Sequence, residues 1–180
     1  DVWNYIPKLD APRELPLRIA VVTADDKDLA ATDMTYLLAE PSKIQDISWI
    51  RPGKVAWDWW NDWNIDGVDS VSGINNDTYK YYIDFASKNG IEYVILDDGW
   101  SDNDNADLFK VNDNIDLPML IKYASDRNVG LILWAGYRAF DKDTERVCKH
   151  YADMGIKGFK VDFMNRDDQP LTEFIARAAE

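Results

Sequence analysis

Cysteine and histidine are nearly absent from the 180-residue chain, with Cys148 and His150 the sole examples. A lone cysteine excludes an internal disulfide and, without further thiolates, a cysteine-based zinc site. Basic residues are also scarce: 20 Lys and Arg stand against 33 Asp and Glu, giving a net charge of -13. No basic cluster offsets that balance, so phosphate backbones would be repelled and nucleic acid is not expected as a partner. No apolar run reaches the roughly 20 residues of a membrane helix. The opening residues, DVWNYIPKLDAPRE, lack the charged-then-apolar order of a signal peptide. Neither G-x-G-x-x-G nor G-x-x-x-x-G-K-[ST] follows any predicted strand, which removes the usual nucleotide-binding versions of an α/β sheet.

Tryptophan, in contrast, is abundant at eight copies. From Lys54 onward two hydrophobic periods alternate. VAWDWW (55–60), IEYVILDD (91–98), VGLILWAG (129–136) and GFKVDFM (158–164) read as strands. Between them, Tyr79, Tyr82, Ile83 and Ala86 recur at helical spacing, with Asn76 or Asp77 as N-cap and Gly90 as stop. Residues 116–128 form a second helical pattern, capped by Asp116 with Pro118 in its first turn. Val147, Tyr151 and Met154 mark a third that ends at Gly155, and Leu171, Phe174, Ile175 and Ala178 a fourth behind Pro170, with Asp167 and Asp168 as its caps.

This βαβαβαβα order predicts an α/β fold with a parallel sheet buried on both faces. An open doubly wound sheet and a (β/α)8 TIM-type barrel both fit, and the missing nucleotide motifs favour the barrel. Four units make the first half of one, and the chain stops at RAAE inside a helical pattern, so a piece of a longer protein is expected. Residues 1–50 differ: a strand is expected at 17–23, a helix from Lys27 to Ala39, and Pro7, Pro12 and Pro16 suggest a linker behind a preceding domain. The expected boundary lies near Arg51, with residues 51–180 as partial barrel.

In a parallel barrel the functional face is built from the C-terminal ends of the strands. All four strands end there in groups that a core does not need: Asp58, Trp59 and Trp60; Asp97, Asp98 and Trp100; Trp134, Tyr137 and Arg138; Lys160 and Asp162. Strand alternation puts Lys160 and Asp162 on the same side, facing a pocket at the mouth. Carboxylates, one ammonium and indole faces suit a neutral polyhydroxylated ligand. Asp162 is then the candidate to attack or stabilise an anomeric carbon, which gains positive charge in the transition state.

PGKVAWDWW (52–60), ILDDGW (95–100), LILWAGY (131–137) and KGFKVDFMNRDDQ (157–169) together resemble glycoside hydrolase family 97, bacterial α-glycosidases. The resemblance implies an N-terminal β-sandwich, of which residues 1–50 would be the tail, followed by a (β/α)8 barrel and a C-terminal β-domain. It implies Asp162 as the nucleophile of the retaining α-galactosidase branch, since inverting relatives lack that carboxylate. Asp97 and Asp98 would bind galactose hydroxyls, Lys160 would meet the sugar near its 2-hydroxyl, and the Trp57 to Trp60 segment would line the cleft; Trp59, Trp100 and Trp134 are expected as substrate contacts from their places at the strand ends. The family's acid/base glutamate comes from a later barrel segment, and its calcium ligands are mainly glutamates outside these residues. A periplasmic or secreted location follows from the same resemblance. Asn165 departs from the family pattern, which often shows Asp there.

Four other expectations stand beside these. Lys160 could serve a barrel aldolase as a Schiff base, although a carboxylate two residues away opposes the neutral amine. The chain could bind sugar without catalysis, or act on α-glucosides. SDNDNAD (101–107) superficially suggests a calcium loop, but Ala106 and Asp107 stand where a ligand and a glycine belong, so a solvated loop is expected.

Overall fold

The structure, a computed structural model, describes residues 18–180; Pro7, Pro12, Pro16 and Leu17 lie outside the described residues. Two compact units divide the chain, one running from Arg51 to Asp167, the other containing the segment up to Ile50 together with Asp168–Glu180.

The larger unit contains a four-stranded sheet whose pairs are all parallel, in the order β1 (Val55–Trp57), β2 (Tyr93–Leu96), β5 (Gly130–Gly136) and β6 (Gly158–Asp162). Helix α3 (Asn76–Lys88) packs on β1 and β2, and α4 (Leu117–Ser125) on β5. Their apolar stripes, Tyr79, Ile83 and Ala86 from α3 and Leu120 and Ala124 from α4, are buried with Val94, Leu96, Leu131 and Leu133 of the central strands. Burying such side chains is worth roughly 1.5–3 kcal/mol each, which lets short strands hold a parallel register. Helix α6 (Thr144–Met154) adds Val147 and Tyr151, whose ring meets Trp100 edge-on at 5.5 Å.

Caps follow the predicted chemistry with one shift. Asp116 accepts a hydrogen bond from Met119 N at the start of α4, and Asp168 accepts one from Leu171 N at the start of α7 (Gln169–Ala179). Gly155 closes α6 at φ 106°, a conformation that costs a side-chain-bearing residue more than glycine. On α3 the cap is Asn75, whose Oδ1 accepts from Thr78 N, rather than Asn76 or Asp77.

Several expectations are corrected. The first strand is shorter than VAWDWW: after Trp57 the chain turns into a 3₁₀ helix, Asp58–Asn61, because Asp58 accepts the Trp59 N–H and leaves the pleat. The edge strands β1 and β6 are half-exposed rather than buried on both faces. Two elements were not foreseen. SDNDNAD is the tip of a hairpin, β3 (Ser101–Asp102) against β4 (Asp107–Val111), and α5 (Tyr137–Asp141) follows β5 directly. In that hairpin the Asp102 carboxylate accepts from Asn105 N, Asn105 Nδ2 and Lys110 Nζ, so it builds a turn instead of an open loop.

In the other unit, residues 18–23 form no strand, and the helix expected over 27–39 is two short ones, α1 (Asp26–Ala30) and α2 (Met34–Leu38). Thr32 Oγ1 accepts from Met34 N, a local bond that competes with continued helix. Helix α7, predicted as the fourth barrel helix, groups with this unit, and Lys43 pairs with Glu180 inside it.

Candidate active site

Parallel pairing brings the C-terminal ends of β1, β2, β5 and β6 to one edge of the sheet. The register sets Trp134 opposite Lys160 and Gly136 opposite Asp162, while Trp57 lies opposite Ile95, just before Asp97. Side chains 63 residues apart in sequence therefore meet.

Lys160 is the centre of the cluster. Its Nζ donates to Asp97 Oδ2 at 2.7 Å, lies 3.6 Å from Asp162 Oδ2, and sits 4.2 Å from the centroid of the Trp57 ring. One ammonium thus faces two carboxylates and a π-face, an arrangement that favours the cation at each contact. The strand alternation read from the sequence, with Lys160 and Asp162 on one side, corresponds to this contact.

Asp162 ends β6 with 40% of its side chain exposed. Its Oδ1 accepts from Phe163 N at 2.8 Å, and its Oδ2 from Trp134 Nε1 at 3.2 Å. Phe163 has φ 62°, a left-handed conformation that is uncommon outside glycine and folds its N–H back onto the preceding carboxylate. Burial pushes the Asp162 carboxyl up, but Phe163 N–H, Trp134 and Lys160 together outweigh it and hold the group below the ordinary carboxylate range. Asp162 is an ionised, directed, solvent-reachable oxygen donor.

Asp97 is 3% exposed, and its carboxylate is occupied internally. Besides Lys160, Oδ2 accepts from Trp57 Nε1 at 2.5 Å, and Oδ1 accepts from Asp98 N at 2.9 Å. It orients the cluster and leaves few lone pairs toward the opening. Asp98 points elsewhere, half-buried, with Oδ2 accepting from Asn103 Nδ2 at 3.3 Å; burial pushes its carboxyl up, and the Asp97 charge adds to that. Between Asp98 and Trp100, Gly99 has φ 106°, and a Cβ there would come within 2.3 Å of Ile74 Cδ1, so only glycine carries the chain through this turn.

The predicted tryptophans separate into two groups. Trp59 is half-exposed and stacks on Trp57 with centroids 5.3 Å apart and planes at 23°, and the exposed Trp60 tilts against the same ring at 6.0 Å. Trp100 and Trp134 do not line an open cleft: both are buried. Trp100 Nε1 donates to the Trp134 carbonyl, so Trp100 is a core residue, and Trp134 meets the site through its indole N–H on Asp162 and its edge-on contact with Phe163. A tryptophan N–H needs a partner when buried, which explains both bonds.

Two participants, Phe163 and Asn103, were absent from the sequence-based set, and Asp58 was named at a strand end without a role. Asp58 was visible as an acid among tryptophans at a strand end, and nothing local marks it as buried. Among the described residues no group of three His, Cys, Asp or Glu side chains converges as a metal ion would require. These residues therefore do not fit calcium, and no step is derived through it. No helix among the described residues is long and apolar enough to cross a membrane.

A carboxylate held ionised by directed donors, an ammonium between acids and exposed indole faces thus stand together at one edge of the α/β sheet. The family model for glycoside hydrolase 97 matches residues 59–180, more than half of the chain, and the chain belongs to that family. It is 67% identical over 177 residues, 98% of its length, to "Retaining alpha-galactosidase" of Bacteroides thetaiotaomicron, of which it covers 27%. It is 32% identical over 173 residues to "Probable retaining alpha-galactosidase" of Streptomyces bingchenggensis, covering 93% of this chain and 26% of that one. Among solved structures, a variant of a family 97 enzyme from Pseudoalteromonas sp. strain K8 superposes with TM-score 0.61 at 26% identity, over 73% of this chain and 22% of that chain. A beta-arabinopyranosidase superposes with TM-score 0.62 at 28% identity, over 82% of this chain and 24% of that one. The chain spans about a quarter of the length of the curated relatives it matches.

Proposed function

We propose that this chain supplies the nucleophile side of a retaining α-galactosidase and forms the first half of its (β/α)8 barrel. The observation that carries the reading is Asp162: an ionised carboxylate at the end of β6, partly open to solvent and aimed by Phe163 N–H, Trp134 Nε1 and Lys160. The likeness to a protein named retaining alpha-galactosidase supports it.

In the proposed reaction an Asp162 oxygen attacks the anomeric carbon of a terminal α-galactoside. The bond to the leaving oxygen breaks as that oxygen takes a proton from a carboxylic acid supplied outside these residues. The resulting glycosyl ester is opened by water, which gives its proton to the same group, and the α-configuration is restored. Lys160 balances the charge of Asp162 before attack, and Trp59 offers an indole face to the C–H surface of a pyranose. Asp98 takes a sugar hydroxyl in this reading on the family resemblance, and Asp97 holds Lys160. The acid/base and the calcium ligands belong to other segments of the intact protein, and a periplasmic or secreted location is proposed on the family resemblance alone.

The aldolase reading loses support, because Lys160 Nζ is engaged by two carboxylates. A second substrate is favoured by the superposition on a beta-arabinopyranosidase. A β-L-arabinopyranoside has the ring configuration of an α-D-galactoside without the exocyclic CH2OH, so the same nucleophile geometry serves both.

The test uses the full-length enzyme and 4-nitrophenyl α-galactoside. Asp162→Ala is expected to lose turnover by about 10⁴-fold, and azide to restore it with β-galactosyl azide as product. A variant that keeps wild-type turnover removes the nucleophile assignment, and α-glucoside turnover exceeding that of the galactoside moves the substrate to glucose.

A further inference from the structure

Beneath the cluster lies an acid that the proposed chemistry does not use. Asp58, at the end of β1, is completely inaccessible to solvent. Its Oδ2 accepts from Tyr79 Oη at 2.8 Å, its Oδ1 from Trp59 N at 2.7 Å, and both oxygens share the Asp97 N–H at 3.2 and 3.3 Å. Burying a carboxylate costs several kcal/mol unless donors compensate it, and a packed sheet edge has no need of one. What Asp58 grips is informative. Asp97 N is the main chain of the residue whose carboxylate holds Lys160 and Trp57, and Lys160 in turn faces Asp162. A continuous chain of hydrogen bonds thus runs from Tyr79 on α3, through Asp58 and Asp97, to the ammonium beside Asp162.

We propose that Asp58 is a positioning residue, whose buried carboxylate clamps the Asp97 main chain and thereby sets the Lys160 ammonium against Asp162. The inference rests on the galactosidase reading for its kinetic consequence and on the hydrogen bonds alone for its geometry. The ionisable groups that interact with Asp58 among the described residues are Tyr79 and Tyr82 from α3 and Asp97 beyond β2. Burial pushes the Asp58 carboxyl up to about 6, against the hydrogen bonds of Tyr79, Asp97 N and Trp59 N, and the Asp97 charge adds to the rise. The clamp is therefore charged at neutral pH and released by mild acid.

Asp58→Asn in the full-length enzyme keeps the shape of the side chain and removes its charge. The kcat on 4-nitrophenyl α-galactoside is expected to fall about tenfold to a hundredfold, because small misplacements of reacting groups are costly, with little change in KM. The indole N–H proton resonance of Trp57, assigned through Trp57→Phe, is expected to move upfield as its bond to Asp97 loosens, and the melting temperature at neutral pH to be no lower than wild type. A kcat within about twofold of wild type and an unmoved resonance overturn the proposal. If Asp58→Asn does not fold, Tyr79→Phe takes its place: it removes one donor and leaves the main-chain clamp. The acid limb of its kcat/KM profile is expected at higher pH, and a profile superimposable on wild type overturns the proposal. Should the wild-type enzyme not turn over galactosides, the galactosidase reading fails on that control, and the Trp57 resonance still decides the clamp.

Discussion

Two lysine–aspartate pairs in the larger unit have the same separation and opposite circumstances. Lys160–Asp97 and Lys110–Asp102 each measure 2.7 Å. At the hairpin the Lys110 side chain is 68% exposed, whereas in the site the side chain of Lys160 is 28% exposed and that of Asp97 4%. The hairpin pair is eight residues apart, and the side-chain partners of Asp102, Asn105 and Lys110, lie within that hairpin. The site pair draws on three strands, and each member has a further obligation: Asp97 to Trp57 and the Asp58 clamp, Lys160 to Asp162. Distance alone does not distinguish a fastener from a catalytic arrangement. Burial and the convergence of groups remote in sequence do.

Breaking each pair should expose that difference. The largest effect is expected for Asp97→Ala, which takes the nearer carboxylate from a mostly buried ammonium and strands the Trp57 N–H. A loss of about 3–5 kcal/mol in chemical denaturation is expected, with loss of galactoside turnover. Gly99→Ala follows, since it must adopt φ 106° and displace Ile74; a lowered melting temperature and a cost of about 1–3 kcal/mol are expected, and an unaltered melt would contradict the turn geometry. Trp134→Phe keeps the buried ring and deletes the donor to Asp162, worth about 1 kcal/mol, so kcat/KM should fall roughly fivefold. Lys110→Ala is expected to leave turnover unchanged and to lower the melting temperature only slightly, since exposed ion pairs contribute little.

The two regions also carry carboxylates shifted in opposite directions, which sharpens the contrast through pH. Asp58 is pushed up to about 6 by burial, so between its ordinary value of 3.8 and about 6 the folded chain keeps a proton that the unfolded chain releases. Its contribution to stability is complete below that window and is lost as pH rises through it. Asp102 is held down to about 2 by Lys110 and Asn105, so its contribution is present above 3.8 and lost as pH falls toward 2. Melting curves across pH 3.8 to about 6 should therefore lose a downward component in Asp58→Asn and keep it in Lys110→Ala. Identical pH dependence in both variants would refute the assignment.

Much of the site was legible one strand at a time. The polar ends of the four apolar runs marked one edge of a parallel sheet, and the K-x-D alternation placed Lys160 and Asp162 together because strand side chains repeat every second residue. Trp100 and Trp134 were misjudged for an equally local reason: residues following a strand look alike in sequence whether the next turn aims them at solvent or core. Gly99 and the hairpin that follows carry Trp100 inward against Tyr151. The hairpin was taken for a loop because its Asp and Asn side chains satisfy the turn themselves and leave no apolar alternation to read.

By itself the sequence determined the alternation of strands and helices, the caps at Asp116, Asp168 and Gly155, and the side of β6 that carries charge. Each depends on periodicity or on hydrogen bonds spanning a few residues, and such forces act before the chain collapses. Only the tertiary structure decided that Lys160 pairs with Asp97, that Asp58 is sealed beneath them, and that two tryptophans face inward. Those outcomes depend on the register of strands separated by whole helices and on which side chains lose water when the helices pack. No property of a short segment specifies either.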